Sequence, residues 1–219
     1  MTTQIGPASA PMAFLSDIHG NLEALEAVLT ELAQRAVVDI YVAGDLLLGG
    51  DQPLEVWQRL TRVGAHCVQG VSDAALSSIR AEDLQPNGPE ELARAEKFRE
   101  TQAAVGELVL RQLSALPRQL RIPMIDGSEL LLVHGSPESP TDGIGHELED
   151  EEIAALLADD PADIVVCGAT HVPFIRDLGE VQVVNVGSVG QAPEGRYAHF
   201  TVISPRVNGA DASQEHVEY

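Results

Sequence analysis

Short apolar runs that each give way to glycine and a polar side chain punctuate this chain, and they restrict its fold more than any other feature. PMAFLS leads into Asp17, His19 and Gly20, DIYVAG into Asp45, HCVQG into Ser72 and Asp73, ELLLV into His134 and DIVVCG into His171. Runs of this length and β-branched content read as strands covered on both faces. Between the first three lie LEALEAVLTELAQR and PLEVWQRLTR, whose apolar spacing is that of amphipathic helices. Strand and helix in alternation define an α/β fold. Asn21 precedes the first helix as an N-cap, because its side-chain oxygen can accept from the first free amides.

From Ala74 to about Leu116 the pattern turns helical, broken at Gln85-Pro86-Asn87-Gly88, and reads as an insertion over about residues 74–116. Strands resume with RQLRIPMI and SELLLVHG across the Asp126-Gly127 turn, a hairpin signal. After the acidic helix LEDEEIAALLADD come ADIVVCG, PFIRDL, EVQVVNVG and GRYAHFTVIS. The last three follow one another over short turns, which predicts a largely antiparallel C-terminal part. The expected architecture is two mixed sheets face to face with helices outside, a four-layer α/β/β/α sandwich. Residues 1–204 read as one domain and 205–219 as a flexible tail.

Charge limits the partners. Asp and Glu number 34 against 13 Lys and Arg, a formal charge of -21, which repels duplex nucleic acid and anionic lipid surfaces. The opening MTTQIGPASAPM lacks the charged and apolar regions of a leader, and no apolar run approaches the ~20 residues of a membrane span. The reading is cytoplasmic, and a homo-oligomer is compatible with the sequence. Cys67 and Cys167 form no disulfide framework and sit in apolar runs as buried thiols.

The polar residues at the strand ends carry the chemistry. In open α/β sheets the carboxyl edge is where sites are built, so Asp17, His19, Asp45, Asp73, His134 and His171 converge on one crevice. In extended chain, residues two apart point the same way, which lets Asp17 and His19 grip one ion. Carboxylate oxygens combined with imidazoles suit manganese first, with iron or zinc as alternatives, better than calcium or magnesium. His66, His146, His199 and His216 carry little signal, although His146 in TDGIGHELED could reach the crevice. No P-loop or dinucleotide fingerprint is present. Ser136 lacks a nucleophile-elbow context. NVGSVG reads first as a structural turn and second as an amide donor to phosphate. Arg62, Arg176 and Arg196 are the candidate phosphate clamps.

In this order SDIHGN, VAGD, GVSD, VHG and GATH resemble the motif series of the calcineurin-like metallophosphoesterases, in particular their small prokaryotic phosphodiesterases. NVGSVG is similar to the family's terminal turn. The resemblance runs from about Phe14 to Phe200. It implies one metal held by Asp17, His19, Asp45 and His171, and a second held by Asp45 and His134 with two further ligands. Those two are absent, because Val71 and Ala169 stand at their positions. It also places Asp73 and His134 on the catalytic side, and puts Ser72 where many members carry a histidine acid.

Two functions follow as expectations. The first is a phosphodiesterase or phosphatase for small phosphate esters that uses a metal-activated hydroxide, with one firm metal site and a second that is weak or empty. Without a good proton donor it favours aryl esters, whose leaving groups need no proton. The second is a catalytically lapsed protein that keeps the fold as a binding or scaffold module.

Overall fold

Alternation within single strands builds the layers. In β1 (Met12–Leu15), Ala13 and Leu15 pack under helices, while Met12 and Phe14 face the other sheet. In β5 (Glu129–Val133), Leu130 and Leu132 meet Met12 and Phe14 in that central core, and Leu131 and Val133 face outward beneath α5 (Asp150–Leu157). Side chains alternate across a strand, so each sheet with two apolar faces demands a cover on both. The result is the expected four-layer α/β/β/α sandwich. The structure is a computed structural model describing residues 6–219, so Met1–Ile5 of the opening MTTQIGPASAPM lie outside the described residues.

The first sheet also contains β2 (Asp39–Val42), β3 (His66–Cys67), β9 (Tyr197–Pro205) and β10 (Ala210–Glu218), in the order β10-β9-β1-β2-β3. Strands β1, β2 and β3 are parallel, and β9 and β10 join antiparallel. The second sheet adds β4 (Gln119–Pro123), β6 (Ile164–Cys167), β7 (Phe174–Asp177) and β8 (Gln182–Asn185), in the order β4-β5-β6-β8-β7. Its centre, β5-β6-β8, is parallel, with an antiparallel strand at each edge. Outside the first sheet lie α1 (Leu22–Gln34), α2 (Pro53–Val63), α3 (Val71–Ser78) and α4 (Pro89–Ser114), the last interrupted at Gly106, where φ is +73°. A 3₁₀ turn, Ala81–Asp83, links α3 to α4. No helix among the described residues is long and apolar enough to cross a membrane.

Three details depart from expectation. Strand β9 does not continue the β7-β8 hairpin. Both edges of β8 are taken, by β6 and β7, so the chain crosses after Asn185 to the free edge of β1. Residues 205–219 are no flexible tail, since Ala210–Glu218 pairs with β9 over nine registers. The helix expected from Ala74 begins at Val71, which places Asp73 in its first turn.

Candidate metal centre

Four loops from two sheets meet at the carboxyl ends of their strands. Asp17 and His19 follow β1 and Asp45 follows β2 in one sheet; His134 follows β5 and His171 follows β6 in the other. Two groups can hold an ion: Asp17, His19 and His171, and Asp17, Asp45 and His134, with the ligand atoms of each group within 4.8 Å of one another. Asp17 is the carboxylate common to both. Asp45 joins Asp17 and His134 in the second group; the motif resemblance gave it to both metals.

The histidines are oriented alike. His19 Nδ1 lies 2.8 Å from the Leu48 carbonyl, His134 Nδ1 2.8 Å from that of Ala43, and His171 Nδ1 3.1 Å from that of Gln191. A carbonyl only accepts, so each Nδ1 carries the hydrogen and each Nε2 is free to bind. His19 Nε2 and His171 Nε2 stand 3.2 Å apart and lie 3.5 and 3.2 Å from Asp17 Oδ1. Two imidazole lone pairs and a carboxylate converging on one point repel unless a cation sits among them. The donor set therefore fits a divalent transition metal.

Backbone strain marks the same residues. Seven non-glycine residues among those described have positive φ, and four are Asp17 (53°), His19 (51°), Asp45 (53°) and His171 (64°). Each such residue costs about 1 kcal/mol or more. Such conformations persist only where the surroundings enforce them, and here the enforcers are identifiable. Ser188 Oγ donates to the Asp17 carbonyl at 2.8 Å, and the Gly190 amide donates to the same oxygen at 2.9 Å. The Asn185 side-chain nitrogen lies 2.8 Å from the Gly168 carbonyl, 3.0 Å from that of Ile144 and 2.9 Å from Thr170 Oγ1. The NVGSVG turn is thus the clamp of the metal loops. Its asparagine and serine were visible in the sequence, but their targets were not.

Electrostatics agree with this arrangement. Burial alone would raise the Asp17 carboxyl, but the adjoining His171 and His19 rings carry it well below the usual range. Burial would lower His19, and Asp17 more than reverses that, so its value is raised. Asp73 is corrected from a catalytic group to a positioning one. It is fully buried, and its oxygens accept from the amides of Asp45 (2.9 Å), Gly70 (3.0 Å) and Leu46 (3.0 Å). At 0% exposure neither oxygen is open to a substrate. Burial and the neighbouring Asp45 push it up to about 6, against the pull of those amides.

Other expected residues lie elsewhere. His146 is exposed, 3.4 Å from Glu147, and belongs to neither ligand group. Arg176 is committed to the carbonyls of Leu148 (2.6 Å) and His146 (2.9 Å). Arg196 pairs with Glu23 at 2.7 Å and lies over the Tyr219 ring. Cys67 and Cys167 are free, and burial pushes both thiols up to about 12. Val71 sits at the first position of α3 with 39% exposure, and the Ala169 amide donates to Asp17 Oδ2 at 3.0 Å.

A sequence profile of the calcineurin-like phosphoesterase superfamily domain matches residues 11–206, nearly the whole chain. The chain belongs to this superfamily. Among its relatives, the uncharacterized protein MJ0912 of Methanocaldococcus jannaschii is 27% identical over 205 residues, covering 84% of this chain and 78% of its own. The phosphodiesterase YfcE of Escherichia coli K12 is 26% identical over 200 residues, 88% of this chain and 86% of its own. The crystal structure of the hypothetical protein PH1004 from Pyrococcus horikoshii superimposes with a TM-score of 0.82 at 22% identity, over 95% of this chain and 88% of that one. In this calcineurin-like chain, the superfamily's expectation of a divalent metal meets two ligand groups of suitable chemistry.

Proposed function

We propose that this chain hydrolyses small phosphate esters, phosphodiesters foremost, with a divalent transition metal, manganese by preference, held chiefly by Asp17, His19 and His171. The observation that carries the reading is the meeting of two ligand groups on Asp17, with three imidazoles turned inward by backbone carbonyls. When bound, the metal supplies Lewis acidity and a water acidic enough to attack near neutral pH. The name of the relative YfcE supports a diester as substrate.

The chain's own residues set what it can do. Asp17, His19 and His171 hold the first position. Asp45 and His134 offer two ligands beside Asp17 at the second, where Val71 and Ala169 add none. Asp73 fixes the Asp45 loop through three amides. Ser72, in the first turn of α3, is far too weak an acid to protonate an alkoxide, so the leaving group must depart unprotonated. The preference is for aryl over alkyl esters.

The same three residues, Val71, Ser72 and Ala169, favour the second reading, a lapsed enzyme that binds without turnover. One assay separates the two: metal content and bis(4-nitrophenyl) phosphate turnover for the native chain, for Asp17→Asn, and for the pair Val71→Asn with Ala169→His. The expected result is manganese-dependent turnover, reduced at least a hundredfold in Asp17→Asn and increased at least tenfold, with more bound metal, in the double variant. No turnover by the native chain at saturating manganese would leave the lapsed reading standing.

A further inference from the structure

Beside the metal centre, between α3 and α4, lies a recess of about 380 Å³ lined by Leu48, Ala75, Ile79, Leu84, Pro86 and Phe98, with Arg94 among its polar lining. Its volume is that of a small-molecule site. Two of its walls are extensions of the elements that hold the metal ligands. Leu48 is the residue whose carbonyl fixes His19, and Ala75 lies one turn along α3 from Ser72, whose amide donates to Asp45 Oδ1 at 2.8 Å. One turn of helix is about 5 Å, so recess and metal loops are neighbours.

A stripe connects them. Val71, Ala75 and Ile79 are spaced by four, which puts them on one face of α3 and its C-cap. Val71 and Ile79 are exposed, at 39% and 42%. Val71, the first residue of α3, is the end of this stripe nearest Ser72 and the Asp45 loop. At the polar side stands Arg94, exposed and without an ion-pair partner among the described residues, while most other cations of this strongly acidic chain are paired. Glu91, which also lines the recess, already accepts from the Asn87 amide at 2.7 Å.

We propose that this recess takes the organic group of the ester: an aromatic or comparably flat apolar group bearing an anionic substituent that Arg94 reads. The inference rests on the phosphoesterase reading for the placement of the phosphate, but the recess can be tested without turnover. The probe is 6-hydroxy-2-naphthoate, an aromatic carboxylate with no ester to hydrolyse, titrated into chelator-treated protein and followed by backbone amide shifts.

Shifts centred on Leu48, Ala75, Ile79 and Arg94 are expected, with the dissociation constant raised at least fivefold by Arg94→Glu and by Ile79→Asp. Both positions are exposed, so the variants keep the core, and unchanged far-ultraviolet dichroism checks this. Ala75→Phe, which fills the recess, should abolish the shifts. Absence of shifts at these residues, or affinities unmoved by Arg94→Glu and Ile79→Asp, overturns the inference. The turnover assay with bis(4-nitrophenyl) phosphate and manganese tests the phosphoesterase reading separately, so either can fail while the other stands.

Discussion

At the scale of single residues, the site depends on groups that never touch a metal. Asn185 is fully buried at the end of β8 and joins two loop segments, that of Ile144 and that of Gly168 and Thr170, while its own oxygen accepts from the Gly187 amide at 3.0 Å. Replacing it with alanine leaves several buried polar groups unpaired, each worth about 1 kcal/mol or more. Asn185→Ala should therefore lose about 2–4 kcal/mol in urea unfolding. Because those loops carry His171, it should also weaken manganese binding at least tenfold by calorimetry. A variant as stable as native, with unchanged affinity, would show that Asn185 is not the clamp. Gly168 explains why no side chain stands before Ala169: a Cβ there would meet Ser16 Oγ and come within 2.7 Å of Asp17 Oδ2. The sequence displayed Asp17, His19, Asp45, His134 and His171, because a ligand must be a particular kind of side chain at a strand end. It concealed the positive φ at four of them, since strain belongs to backbone geometry that only the assembled loops enforce.

At the scale of elements, legibility followed hydrophobic contrast. Strands β1, β5, β6 and β8 are buried on both faces and announce themselves as apolar runs. Strand β10, ADASQEHVE, does not: it is an edge strand whose residues are exposed or half-buried, and its composition is that of a polar tail. Only pairing with β9 makes it a strand, an example of tertiary context overriding local propensity. For α3 the cause is local: the helix starts at Val71 rather than at the expected Ala74 because Asp73 accepts from the Gly70 amide at the N-cap. If β10 is integral, deleting residues 206–219 removes a nine-register ladder and uncovers β9. The expected loss is about 3 kcal/mol, or about 6–12 °C in thermal unfolding. A melting temperature within 1–2 °C of native would mean that the segment adds nothing and behaves as a tail after all.

At the scale of the whole molecule, the ligands straddle two sheets that otherwise meet through an aliphatic core. Asp17, His19 and Asp45 hang from one sheet and His134 and His171 from the other, so a bound metal cross-links the two halves of the sandwich. Without metal, a proton does part of this work. His19 is held above its ordinary 6.5, so its contribution is present below that pH and fades as pH rises through the higher folded value. Asp17 is held below its ordinary 3.8, so its contribution is present above that value and is lost as pH falls. These two groups favour a window of about pH 4 to 6.5. Asp73, pushed up to about 6 by burial, costs stability as pH rises from 3.8 towards that value, so chelated protein should be most stable at the acid end of the window. Above that window the imidazole lone pairs and Asp17 face one another uncompensated, and the chain's formal charge of -21 adds its own repulsion. Metal competes with that proton, so its effect should grow with pH. At a hundredfold excess over the dissociation constant, linkage gives about 2.7 kcal/mol, or roughly 5–10 °C for a chain of this size. Thermal unfolding with EDTA or manganese should differ little at pH 5 and by that amount at pH 7.5, and Asp17→Asn should abolish the difference. Coincident melting curves at pH 7.5 would show that no metal ties the two sheets together, and the proton would then be the cation for which these loops are built.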